Sequence, residues 1–299
     1  MSTPVPASLN KSTTGRLIVT SAVGAALRVL GAVSPETADA LTLDLFCRPQ
    51  KPKRTLEPRA PGLVGHRFTV PFGDENIAVW DWGEGPTVLL VHGWNGCAAQ
   101  MSRFIEPLVR AGYYVVAPDL PAHGASSGRR TNLFEFAEAI ALLGRRVGPV
   151  HGVIAHSLGA AAAAISLARG LDVKRAVLLA PPSRPQPYAM AFADSLGLSP
   201  ARASALLANI DRVAGGMDNI DLRSLGPSQR ARALVLHDPA DREVPVTEGK
   251  AVAEAWPGAI FEALPGRGHT RLLRDVDAVR KAVAFVAEAE VPVALRALA

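Results

Sequence analysis

Ser157 stands in AHSLG (155–159), after the apolar run VHGVIA (150–155) and before the alanine-rich stretch LGAAAAAISLA (158–168). A serine hydroxyl becomes an effective nucleophile when a neighbouring base removes its proton. The pattern G-x-S-x-G marks a sharp strand–turn–helix that exposes such a hydroxyl. Here Ala155 replaces the first glycine and Gly159 keeps the second; alanine is the least bulky substitute where strand and helix run close. Seven histidines are available as the base. His269 lies just past the last β-rich run, on the glycine-flanked loop PGRGHTRLL, and is the candidate. His66 and His151 begin strands at the opposite end of the sheet and read as structural. His92 and His123 sit in the turns HGW and PAHG and read as loop hydrogen-bonders. His156 must point away from Ser157 on a tight turn, and His237 ends a strand as local support.

A histidine base needs an acid that sets its tautomer and stabilises the imidazolium. Asp241, in HDPADREVPV, precedes His269 by one strand and gives the chain order Ser–Asp–His. Asp238 is its rival, three residues earlier; the D-x-x-V-P spacing, which carries the chain away into the next helix, favours Asp241. Asp119 is expected to brace the DLPAHG loop, and the strand end at 180–182 carries no carboxylate. Acyl transfer also requires donors for a developing oxyanion. The backbone N–H of Leu158, at a helix start, is one, and the loop HGWNG (92–96) supplies the other, assigned to Trp94. The Trp94 indole either walls an acyl pocket or simply packs.

These residues must be held by a regular scaffold. From residue 66 the chain alternates between β-rich runs (66–72, 77–82, 87–91, 113–119, 150–155, 175–180, 232–237 and 259–264) and helical patterns (98–111, 132–147, 158–169, 247–255 and 275–289). Such alternation predicts an α/β fold, a mostly parallel sheet covered on both faces. Only GDEN (73–76) separates the first two runs, so the sheet begins with an antiparallel hairpin. Residues 181–231 are too long for an ordinary connection and carry Leu206, Ile210 and Val213 at helical spacing. They read as a helical insertion capping the carboxyl ends of the strands, where ligands bind.

The chain has 299 residues and a net charge of +5, with eight Lys and Arg against four Asp and Glu in residues 1–60. The rest is near neutral, without the basic stripe of a nucleic-acid-binding domain. RPQKPKRTLEPR (48–59) reads as a solvated linker. The apolar run 17–33 is interrupted by Arg28, which shortens it below membrane-spanning length. A signal peptide stays open for this segment, as does contact of residues 1–60 with a membrane surface; packing on the domain is favoured. Ser34, Pro35 and Glu36 read as a helix start, with Ala38, Leu41 and Leu45 on one face. Cys47 and Cys97 form no metal or disulfide pattern, and a reducing cytoplasm is the default. The organisation is therefore an extension and linker (1–63), a core (64–180 and 232–290), a cap (181–231) and a tail (291–299).

HGW, PDLPAHGASSG, AHSLG, HDPADREVP and GRGHTRLL follow one another in the order and spacing of the α/β-hydrolase superfamily, which the chain resembles over about residues 64–290. The helical extension resembles that of a bacterial subgroup of these hydrolases. The resemblance implies an eight-stranded sheet with a helical cap after the sixth strand. It implies Ser157 as nucleophile, Asp241 as acid, His269 as base, and the N–H groups of Trp94 and Leu158 as oxyanion donors. Ala155 and Ala122, in the PAHG turn, depart from the family pattern, small residue for small. Serine rather than aspartate at the elbow argues against dehalogenase and epoxide-hydrolase chemistry. The leading expectation is a carboxylesterase for small to medium acyl esters, needing no cofactor or metal. Acyltransferase, thioesterase, C–C hydrolase and cofactor-independent haloperoxidase chemistry use the same residues, and a non-catalytic binding protein is the remaining alternative.

Overall fold

The computed structural model describes residues 13–50 and 56–288, with side chains described from residue 22 onward. The expected tail (291–299) and the middle of the basic linker (51–55) lie outside the described residues.

All eight β-rich runs form strands of one sheet in the order β1-β2-β4-β3-β5-β6-β7-β8. They are β1 (Gly65–Phe72), β2 (Glu75–Trp82), β3 (Thr87–Val91), β4 (Tyr114–Pro118), β5 (Val150–His156), β6 (Arg175–Leu179), β7 (Arg232–His237) and β8 (Ile260–Ala263). β2 is antiparallel to both β1 and β4, and β3 to β8 run parallel. The central strands are buried along nearly their whole length, which is why they read as unbroken Val/Leu/Ala runs rather than alternating ones.

Alternation still decides which face each residue serves. Val88, Leu90, Ile154, Val177 and Leu179 pack towards α3 (Ser102–Arg110) and α10 (Val276–Ala287). Leu89, Val91, Val153, Ala155 and Leu178 pack towards α4 (Leu133–Val147), α5 (Leu158–Ala168) and α9 (Val246–Ala255). Ala160 to Ala164 of α5 are all buried, and no side chain there is larger than a methyl, so the helix lies close against the sheet. Asn132 starts α4 by accepting from the N–H groups of Phe134 and Glu135 at 2.9 and 3.0 Å.

The insertion after β6 forms α6 (Gln186–Ser195), α7 (Pro200–Ala214) and the single turn α8 (Leu222–Leu225). The N-terminal segment forms a helical hairpin, α1 (Thr13–Val33) and α2 (Pro35–Phe46), that docks on this cap. Leu27 packs among Ala193, Leu196, Leu198 and Ala203. Arg28 donates to the Gly197 carbonyl at 3.0 Å, and Arg202 pairs with Asp39 at 2.7 Å. No helix among the described residues is long and apolar enough to cross a membrane. Two local expectations are corrected. Ser34 makes no side-chain cap; its hydroxyl bonds Thr37 at 2.7 Å. Leu41 is 42% exposed, because the buried side of α2 runs through Ala38 and Thr42.

Candidate active site

Ser157 occupies the turn between β5 and α5 with φ 53° and ψ −126°. This conformation costs a non-glycine residue about 1–3 kcal/mol and is held by its surroundings. The Ser157 N–H donates to the Leu179 carbonyl at 2.9 Å, and the Ser157 carbonyl accepts from Ala160 at 2.9 Å. Among the described residues, the other non-glycine residues with positive φ are Asn95, Ala122 and Ala180. Each follows the carboxyl end of a strand (β3, β4 and β6), so backbone strain collects along the rim that carries Ser157. The packing beneath the turn is tight. A Cβ on Gly159 would lie 2.1 Å from the His92 carbonyl oxygen, and one on Gly93 would lie 2.9 Å from the Ser157 Cβ. Ala155, in the other small position, is fully buried and paired in register with Val91 and Leu178.

The loops after β7 and β8 bring Asp241 and His269 together. His269 Nδ1 bonds Asp241 Oδ2 at 2.7 Å, and both residues are buried. The other carboxylate oxygen, Oδ1, accepts from the N–H groups of Glu243 and Val244 at 2.8 and 3.0 Å. Burial opposes ionisation of Asp241. Hydrogen bonds from His237 and His269, attraction to His269 and the Val244 N–H outweigh it and hold the carboxyl well below the usual carboxylate range.

Asp238, the rival, does not meet His269. Its oxygens accept from the N–H groups of Ala240 (2.8 Å), Gly266 (3.3 Å) and Gly268, which ties the histidine loop to β7. His237 is wholly buried and donates from Nε2 to the Val244 carbonyl at 2.9 Å, beside Asp241. At the end of β6, a carboxylate is present after all. Glu248, from α9, accepts from the Ser183 N–H and hydroxyl at 2.9 and 2.5 Å. The strand end itself has no acid; α9 supplies one across a long sequence separation.

Sequence reasoning missed one histidine contact. The ring of His156 lies 4.6 Å from that of His269, and its Nε2 donates to the His269 carbonyl at 3.2 Å. Burial, then repulsion from His269, push its pKa down to about 3, so it is neutral. The tight turn separates neighbouring side chains, and here it aims His156 at the segment carrying His269.

The loop after β3 is set by two more neutral histidines. His92 Nδ1 donates to the Gly93 carbonyl at 2.7 Å, while Nε2 accepts from the Leu120 N–H at 2.9 Å. Burial lowers its pKa to about 4. His123 Nδ1 donates to the Pro121 carbonyl at 2.9 Å, while Nε2 accepts from the Asn95 N–H at 3.0 Å. Asp119 braces the same region, accepting from the Ala98 and Ala125 N–H groups at 2.6 Å each. The Trp94 indole packs edge-on against His123 at 5.1 Å. Among the described residues, neither the Trp94 N–H nor the Leu158 N–H has an acceptor. No cluster of three or more His, Cys, Asp or Glu side chains among those residues is arranged to hold a metal ion.

Ser157 opens onto a largely apolar chamber of about 210 Å³, with Trp94 and Leu158 in its wall. The remaining wall comes from the cap, the start of α4 and the end of α2.

The profile of the alpha/beta hydrolase family matches residues 88–282, and the chain belongs to that family. The human "Serine hydrolase-like protein" is 43% identical over 74 residues, 24% of this chain and 35% of that relative, so the match spans about a third of that relative's length. The Pyrococcus furiosus esterase Pf2001 shares the fold with a TM-score of 0.59 and 20% identity, over 79% of this chain and 98% of that one. A bacterial membrane phospholipase A also shares it, with a TM-score of 0.59 and 20% identity, over 94% of this chain and 100% of that one.

Proposed function

We propose that this α/β hydrolase is a serine carboxylesterase acting on small to medium acyl esters, with Ser157 as nucleophile. The observation that carries the reading is the 2.7 Å bond between His269 and Asp241, together with the contact that His156, the neighbour of the strained Ser157, makes with His269. Asp241 keeps the His269 proton on Nδ1, which leaves Nε2 free to accept from the serine hydroxyl. As Ser157 Oγ bonds to the ester carbonyl carbon, the carbonyl π electrons move onto oxygen. The N–H groups of Trp94 and Leu158 receive that charge, Leu158 with the added field of the α5 N-terminus. Collapse re-forms the carbonyl and breaks the C–O bond, and His269 passes its proton to the departing alkoxide. Water then repeats the sequence on the acyl-enzyme and releases the acid.

The test is turnover of p-nitrophenyl butyrate. Ser157→Ala is expected to lower kcat by at least 10⁴-fold, and a fluorophosphonate probe is expected to label Ser157 alone. Undiminished turnover in the variant, or a probe adduct elsewhere, overturns the assignment.

A further inference from the structure

The chamber at Ser157 is not enclosed by cap and core alone. Leu43 and Phe46 of α2 and Cys47 just after it, from the N-terminal hairpin, form part of its wall, together with Leu133 and Phe134 of α4 and Ala161 of α5. This end of the hairpin is anchored. The Cys47 carbonyl accepts from the Thr131 N–H at 2.8 Å, Gln50 N–H donates to Asn95 Oδ1 at 2.7 Å, and Phe46 packs edge-on against Phe192 at 5.3 Å.

The lining also has a side. Ser157, Leu158 and Trp94 belong to it, but His269 and Asp241 do not. His269 must reach the leaving oxygen to protonate it, so the alcohol half of an ester departs on the His269 side. The acyl half is left on the chamber side. We infer that this chamber is the acyl-chain site, that it takes unbranched medium-chain acyl groups, and that Leu43 and Phe46 of the N-terminal hairpin set the chain-length limit. The inference rests on the serine-esterase reading for its chemistry. An apolar cavity of about 150 Å³ holds a six-carbon ring, and a chamber of about 210 Å³ has room for a somewhat longer hydrocarbon group. Its surface is almost wholly apolar, as a hydrocarbon chain requires.

The experiment measures kcat/KM of the full-length protein on p-nitrophenyl esters from acetate to dodecanoate. The wild type is expected to gain up to about fourfold per added methylene, to peak at hexanoate to octanoate, and then to fall. Leu43→Trp fills the chamber and is expected to lower the octanoate-to-acetate ratio at least tenfold. Leu41→Trp, on the exposed side of the same helix, is expected to leave that ratio within twofold. Leu43→Ala enlarges the chamber and is expected to move the peak to decanoate, which keeps the test available if the tryptophan variant does not fold. Calorimetric binding of octanoate to Ser157→Ala protein reads the chamber without chemistry and is expected to weaken at least tenfold when Leu43→Trp is added.

Ester turnover with a ratio unmoved by either Leu43 variant overturns the chain-length assignment and leaves the esterase standing. No turnover of any ester, with octanoate still bound in a Leu43-dependent way, supports the chamber and removes the esterase. Octanoate binding that ignores Leu43 overturns the chamber.

Discussion

Replacing Asp241 by asparagine is a one-atom test of the role proposed for the Asp241–His269 pair. The carboxylate has two unequal oxygens. Oδ1 accepts from the Glu243 and Val244 N–H groups at 2.8 and 3.0 Å, and Oδ2 accepts from His269 Nδ1 at 2.7 Å. An asparagine must keep its carbonyl oxygen at the first position. The flipped amide would set an NH₂ against two N–H donors and strand both, at about 1–3 kcal/mol each. The amide nitrogen therefore falls where Oδ2 was and donates to His269 Nδ1. The imidazole proton is forced onto Nε2, the nitrogen needed to accept from Ser157. A wrong tautomer of this kind costs about 10⁴-fold in kcat, or about 5.5 kcal/mol of transition-state stabilisation. The assay is steady-state hydrolysis of p-nitrophenyl butyrate, with thermal melting to show that the variant folds. Asp238→Asn is the matched comparison, since its carboxylate holds three N–H groups and no histidine. It is expected to lose about 3 kcal/mol of stability while kcat falls less than tenfold. Retention of kcat within tenfold by Asp241→Asn, or a larger kcat loss in Asp238→Asn, would refute the reasoning.

Two further outcomes follow from the packing and burial of the same region. Gly159→Ala places a Cβ 2.1 Å from the His92 carbonyl oxygen and 2.9 Å from its carbon, so the β3 loop must move by about 1 Å. The expected cost is about 1–3 kcal/mol in stability and about 10²-fold in kcat, because the displaced loop carries Trp94; a lowered melting temperature with unchanged kcat would remove Trp94 from the reaction. Acid stability should be steep. The unfolded chain protonates its histidines below about pH 6.5, whereas folded His92 and His156 resist protonation down to about 4 and about 3. Unfolding thus takes up protons in this window, and stability drops by about 1.4 kcal/mol for each histidine per unit that the pH is lowered. The His92 contribution levels off below pH 4 and that of His156 below pH 3. Urea melts at pH 6, 5 and 4 measure the slope. His156→Gln should reduce it by one proton, and an unchanged slope would show that His156 is not buried neutral.

The strands were legible because a parallel strand covered on both faces must be apolar throughout, as TVLLV and RAVLL are. Ser157 and Asp241 stood out because each follows such a run, where the chain turns and has few other duties, and His269 because it lies on a glycine-flanked loop past the last strand. The contacts that were not legible all join segments distant in sequence. Glu248 reaches Ser183 across 65 positions, and His156 meets His269 across 113. Neither partner carries a local sign of the other. The chamber wall formed by α2 is the largest such case. Leu43 and Phe46 have the spacing of any packed helical face, and nothing in that spacing says which surface they cover. Arg28 shows where the information lay. In sequence it is the charge that breaks an apolar run and argues against a spanning helix. In the fold it is a docking residue, donating to the Gly197 carbonyl 169 positions away, while Asp39 on the next helix pairs with Arg202 of the cap. The two polar contacts orient a hairpin whose apolar side alone would pack in several ways. They accompany the placement of Leu43 and Phe46 beside Ser157, and an extension that composition marks as an appendage becomes a wall of the chamber.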